Sequence, residues 1–192
     1  MPFMTPSKTP PSAPLPARER ILLTAHDLFY REGIRATGID RVIAEAGVTK
    51  VTFYRHFPSK NELILAFLEH RHQRWMDAFT DALRRHGPGP AALVPALGEW
   101  FGSPDFRGCA FINSVGELGA SLPEVVAISQ RHKSDMQTAI SGLLPASRQR
   151  TRLARAIALA VDGAIVRAQM DQAPEPALKT LDQIVQALTA NA

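Results

Sequence analysis

Nowhere in this chain do apolar and polar residues alternate for long enough to build a strand. Apolar residues recur instead at three- and four-residue intervals, in segments delimited by Pro104, Pro123, Pro145, Pro174 and Pro176. The pattern predicts an all-α fold of about nine helices. A first amphipathic helix is predicted over Pro16 to Glu32, with Ile21, Leu22, Ala25, Leu28 and Phe29 on one face. A second is predicted from about Gly38 to Ala46, with Thr37 as N-cap and Asp40 three residues on. A third, short one is predicted from about Thr49 to Phe57. Ser59 and Glu62 have the spacing of a capping box and open a long fourth helix, predicted to reach about Arg85 before Gly87-Pro88-Gly89-Pro90 breaks it. Further helices are expected near 91–101, 108–120, 123–143, 147–170 and 176–190.

A chain of 192 residues can bury a core without disulfides, and its single cysteine, Cys109, excludes an intrachain disulfide and any zinc site built on several thiolates. No apolar run approaches the roughly 18 residues that would cross a bilayer. The proline-rich start reads as a disordered tail over residues 1–16, without the charged and then apolar regions of a secretion signal. A reducing cytoplasm is expected. The six histidines, His26, His56, His70, His72, His86 and His132, have no ligand-set spacing, so neither a metal nor a cofactor is expected. Metalloprotease, nucleophile-elbow and phosphate-loop signatures are all missing, which gives catalysis no positive support.

Charge is distributed unevenly. Residues 1–60 hold nine Lys or Arg against five acids, which accounts for the whole formal charge of +4. This fits a polyanion-facing module joined to a neutral body, although an excess of this size also arises by chance.

The second and third helices, joined by Ala46-Gly47-Val48, have the length and punctuation of a helix-turn-helix. Phe53 and Phe57, four residues apart, can turn inward with Val48, and that frees Lys50, Val51 and Thr52 to face outward. This end of a recognition helix enters a major groove, where a lysine donates to guanine O6 and N7 and a valine or threonine methyl meets a thymine methyl. Thr49, Tyr54, Arg55, His56 and Lys60 surround the face with donors suited to phosphate oxygens, and Thr37 is counted with them.

The stretch Thr37–Leu63, TGIDRVIAEAGVTKVTFYRHFPSKNEL, resembles the N-terminal signature of TetR-family transcriptional regulators, with Tyr54, His56, Phe57, Ser59 and Lys60 as its most specific core. The resemblance extends back through Arg18 to Leu22. It implies a three-helix DNA-binding domain at 17–62 and a helical ligand-binding and dimerisation domain at 63–192. It also puts Thr49, Lys50, Val51 and Thr52 where family members meet bases or adjacent phosphates, and Tyr54, His56 and Lys60 on phosphate positions. Val51 departs from the small residue or proline more usual there.

By the same resemblance, a homodimer forms through about 147–170 and 176–190 and reads a palindromic operator on double-stranded DNA. A small-molecule effector in the C-terminal domain then releases the protein, more often a repressor than an activator. Ala156, Leu159, Gly163 and Val166 form a stripe that permits close helix packing, within a chain or between chains. Trp75, Phe79, Trp100, Phe101, Phe106, Phe111 and Met136 are large residues available to line a cavity or simply to fill a core. Asn113, Glu117, Asp162 and Arg167 need polar partners, which a ligand, a salt bridge or solvent would supply. Cys109, after Arg107 and Gly108, is either a thiol sensor or an inert buried thiol. Rival readings are a regulator that senses electrophiles through Cys109 and a helical protein-interaction module that no longer reads DNA.

Overall fold

The structure, a computed structural model, describes residues 15–190, so residues 1–14 of the expected tail lie outside the described residues. Among the described residues there are nine α-helices and no strand. They are α1 (Ala17–Glu32), α2 (Ile39–Glu45), α3 (Lys50–His56), α4 (Lys60–Arg85), α5 (Leu93–Phe101), α6 (Ala110–Leu118), α7 (Pro123–Gly142), α8 (Arg150–Asp171) and α9 (Pro174–Thr189). None of these helices is long and apolar enough to cross a membrane.

The chain divides into two compact units, and the division falls inside α4, after Gln73. One unit comprises residues 15–73 together with Ala110–Ser129; the other comprises Arg74–Cys109 together with 130–190. In the first unit Ile21, Leu28, Phe53, Leu63 and Leu68 are completely buried, and Val42 and Phe67 are nearly so. Each contributes about 1.5–3 kcal/mol by leaving water. Phe67 meets the Phe29 ring edge-on at 5.5 Å, and this packing makes the first half of α4 part of the same core as the three helices before it.

In the second unit α5 buries Leu93, Ala96, Leu97, Trp100 and Phe101, the i, i+3, i+4, i+7, i+8 stripe of a helix covered on one side. Trp75 stacks on Phe79 at 4.6 Å and meets Trp100 and His132 edge-on at 5.3 and 4.9 Å. Ile157, Val161 and Ile165 of α8 and Ala177, Leu181 and Val185 of α9 are buried where those two helices pack together.

Local chemistry moves some helix ends from their expected places. α6 begins at Ala110 rather than 108 because Gly108 takes φ 78°, with the Gln169 side chain lying where a Cβ would be. α9 begins two residues early, at Pro174, a residue whose fixed φ suits a first helical turn. α2 is entered through Gly38, with no side-chain cap. The expected N-cap, Thr37, is fully buried and its hydroxyl donates to the Gly33 carbonyl at 2.8 Å.

Candidate nucleic-acid interface

The α2–α3 connection is tight because backbone bonds close it: Ala46 N–H donates to Val42 O at 2.9 Å, and Val48 N–H donates to Ile43 O at 3.3 Å. Gly47 supplies the required φ of 61°. Arg20 braces the turn from α1, its Nε donating to Ala46 O at 3.1 Å and a second nitrogen to Gly47 O at 3.4 Å. Arg41 of α2 grips Glu32 through two nitrogens and also donates to Glu45 at 2.8 Å. The Arg41 hydrogen bond holds the Glu32 carboxyl below its ordinary range, and the two acids raise the guanidinium in turn.

α3 starts on Thr49, whose hydroxyl accepts from the Thr52 amide at 3.1 Å and pairs with the Thr52 hydroxyl at 2.9 Å. Phe53 and Phe57 point inward and are 0% and 2% exposed, with the Arg18 guanidinium 5.2 Å from the Phe57 ring. The opposite face is open. Val51 is 70% exposed and Tyr54 40%, the Lys50 side chain is 68% exposed, and Arg55 lies beside them in solvent. Thr52 and His56 are half-buried at its edges. The Lys50 ammonium is 3.9 Å from Asp40, a solvent-exposed contact too weak to hold it. The arrangement can place a cation, two methyl-bearing side chains and flanking phosphate donors along one groove.

Two members of the expected set have hydrogen-bond partners within the unit. Thr37 is a correction: a buried hydroxyl already committed to Gly33 has no path to a phosphate. Lys60 is half-buried and donates to the Ile34 carbonyl at 2.7 Å, 6.0 Å above the Phe29 ring, so one of its three N–H groups is used within the unit. Burial lowers its pKa, and the Glu117 charge acts in the opposite direction.

Residues 21–67 match the family model described as bacterial regulatory proteins, tetR family. A crystal structure of a TetR-family transcriptional regulator from Streptomyces coelicolor superposes with a TM-score of 0.80 at 31% identity, over 91% of this chain and 95% of that one. The chain belongs to the TetR family of transcriptional regulators. Two further relatives are an HTH-type transcriptional regulator in the lacX 3′ region of Lactococcus lactis and the HTH-type transcriptional repressor BepR of Brucella suis. The first is 25% identical over 81% of this chain and 84% of its own length, and the second 26% identical over 71% and 68%. Family membership makes the chain a DNA-binding regulator rather than an enzyme.

Outside this TetR signature, the large and polar residues expected to line a cavity or fill a core are divided between the two units. Trp75, Phe79, Trp100 and Met136 are buried in one compact unit, whereas Phe111, Asn113 and Glu117 belong to the other. The Glu117 carboxylate accepts from the Ile34 and Arg35 amides at 3.2 and 2.8 Å, so protein groups on the helix-turn-helix side supply it with polar partners. Asp162 is paired with Lys133 and the exposed Arg167 with Asp171, so ion pairs answer both charges. Phe111 meets the His72 ring edge-on at 6.5 Å, and Asn113 is half-buried. Cys109 is 3% exposed, which shields the thiol from reagents. A thiol-specific colorimetric reagent should therefore react with the native protein only when the chain is unfolded by denaturant; rapid native labelling would restore the sensor reading. Among the described residues, no three His, Cys, Asp or Glu stand close enough to hold a metal ion.

The sequence reading missed Arg71, which is 1% exposed, with its guanidinium 3.7 Å from the Tyr30 ring centre and one nitrogen 3.4 Å from His26 Nε2. A signal existed. Arg71 sits on the same face of α4 as Phe67, Trp75 and Phe79, at four-residue spacing, and a cation within such a stripe must be held by aromatic faces and hydrogen bonds.

Proposed function

We propose that this TetR-family chain acts in the cytoplasm as a homodimeric repressor, bound to a palindromic operator and released by a small molecule in its C-terminal helices. The observation that carries the DNA-reading part is the outward face of α3, where Lys50, Val51 and Tyr54 stand in solvent over the buried Phe53 and Phe57. Lys50, Val51 and Thr52 would read bases; Thr49, Tyr54, Arg55, His56 and Lys60 would hold phosphates. The sign of regulation follows the repressor BepR, to which the chain is similar.

Dimerisation through α8 and α9 is supported by what those helices leave uncovered. Leu159 and Met170 of α8 are 74% and 66% exposed, and Ile184 of α9 is 38% exposed. Beside them a groove of about 350 Å³ is lined by Ala160, Gly163, Ala164, Ala177, Leu181 and Ile184, among others. Small residues of this kind let a partner helix approach closely, and a twofold axis would present two recognition helices to successive major grooves. The effector would act by binding the DNA-incompetent state more tightly, moving α4 and so the spacing of the two α3 helices.

The test is fluorescence anisotropy with a duplex from the intergenic region beside the protein's own gene, a scrambled duplex as competitor, and a salt series. Specific binding with a slope of about −0.9 in log K against log[salt] per neutralised phosphate is expected. Lys50→Ala should weaken the specific duplex by roughly 5- to 150-fold, the equivalent of about 1–3 kcal/mol for a lost base contact, and leave the scrambled duplex nearly unchanged. An equal loss on both duplexes would make Lys50 a phosphate contact instead.

A further inference from the structure

The loop between α1 and α2 is held by side chains from distant parts of the sequence. Gly33 N–H donates to Phe29 O at 3.1 Å, and the Gly33 carbonyl is taken by the Thr37 hydroxyl. The next peptide groups meet side chains from far along the sequence. Ile34 N–H donates to Glu117 Oε1 at 3.2 Å, Arg35 N–H donates to Glu117 Oε2 at 2.8 Å, and the Ile34 carbonyl accepts from Lys60 Nζ at 2.7 Å. Ile34 is 2% exposed, so its backbone groups must be satisfied by protein. One carboxylate on α6 therefore spans two consecutive amides 82 and 83 residues away, with the first residue of α4 closing the same peptide from its other side. The fit is close: a Cβ on Gly33 would meet that carboxylate at 3.4 Å, and Gly33 has φ 93°.

This loop ends at Gly38, which sets the start and direction of α2, and α2 packs on both α1 and α3. Whatever fixes Ile34 and Arg35 thus fixes how α3 is presented. α6 lies in the same compact unit as these helices and offers them its Glu117 carboxylate across the loop.

Building on the DNA-binding reading above, we propose that Glu117 is a positioning residue for DNA recognition. Its two-pronged grip on Ile34 and Arg35 ties α6 to the helix-turn-helix, so that occupancy of DNA and the order of α6 are linked through this one side chain. Linkage is reciprocal: whatever displaces α6 weakens DNA binding, and DNA in turn steadies α6.

The reciprocal direction is testable without knowing the effector. Amide hydrogen exchange of the full chain, read by mass spectrometry over Ala110–Leu118 and over 33–45, is measured with and without the intergenic duplex, and binding is verified in parallel by anisotropy. In the parent protein, bound duplex should slow exchange in α6 by about threefold or more. Glu117→Gln keeps the shape but turns one acceptor into a donor facing an N–H, and Glu117→Asp keeps the charge but withdraws it by one methylene. Both variants should keep the parent's circular dichroism, lose the DNA-dependent protection of α6, retain that of α2, and bind the duplex about five- to tenfold more weakly. A loop brace with no positioning role would lower thermal stability yet leave the DNA-dependent protection of α6 in place. That result, in either variant, overturns the proposal, as does a parent protein that binds the duplex with no change in α6. A parent protein that binds no duplex at all overturns the DNA-binding reading and this linkage with it.

Discussion

Leu159→Glu is expected to lower affinity for the full operator by about 10²- to 10⁴-fold, the range over which joining two binding modules multiplies affinity, while the protomer's own fold is untouched. Leu159 is 74% exposed on α8, so a carboxylate there costs the isolated protomer little, within the roughly 0.5 kcal/mol usual for surface changes. Across a twofold axis the same change is made twice. In the proposed dimer it would remove an apolar contact from the interface and set two like charges against an otherwise small-residue surface. Each freed protomer would then carry a single recognition helix and bind a half-site without the benefit of its tethered partner. Sedimentation velocity should show a monomer with unchanged far-UV circular dichroism, and anisotropy should show the parent's affinity for the full operator reduced to that for a half-site. A dimer that survives the substitution with its operator affinity intact would place the interface on another surface.

How much of this was legible in the sequence depends on how local each signal is. The Phe53–Phe57 face, the start of α3 beside Thr49, the Ser59 hydroxyl accepting from Glu62 N–H at 3.2 Å and the break after α4 at Gly87-Pro88-Gly89-Pro90 are all carried within four residues, and the structure contains each of them. Pro176, expected to delimit the last helix, instead lies inside the first turn of α9. Thr37 shows how a local signal misleads. Thr-x-x-Asp before an apolar run reads as a cap, but the same hydroxyl can turn back to a carbonyl four residues earlier, and the buried Gly33–Thr37 turn selects that alternative. The Glu117 grip has no local signal, since its partners lie more than 80 residues away and are backbone groups, which leave no trace in residue type. Asp162 is similar: its partner Lys133 is 29 residues distant, on another helix, so an acid on a mostly apolar helix could not be distinguished from a ligand contact. Arg71 lies between these cases, because its place in an aromatic stripe was visible while Tyr30 and His26 as its hosts were not.

Phe53→Ala should be the most damaging single change in the DNA-binding helices. Phe53 is completely buried and its ring lies 6.3 Å from that of Phe57; truncating a core phenylalanine costs about 3–5 kcal/mol, a large share of a domain's total stability. The consequence is sharper here because α3 has only seven residues, far too few to persist as a helix on its own. Its conformation is borrowed from the anchor, and with the anchor gone Lys50, Val51 and Thr52 lose the geometry that would present them to a groove. Urea unfolding followed by circular dichroism should show the stability loss, and anisotropy should show binding to specific and scrambled duplexes falling together. Phe53→Leu, which keeps most of the volume, should cost less than about 1.5 kcal/mol and restore most binding. Val51→Ala, two residues away and 70% exposed, should change stability by less than about 0.5 kcal/mol. Equal stability losses from Phe53→Ala and Val51→Ala would mean that α3 is not held by its inward ring, and the outward face built upon that ring would have to be reassigned.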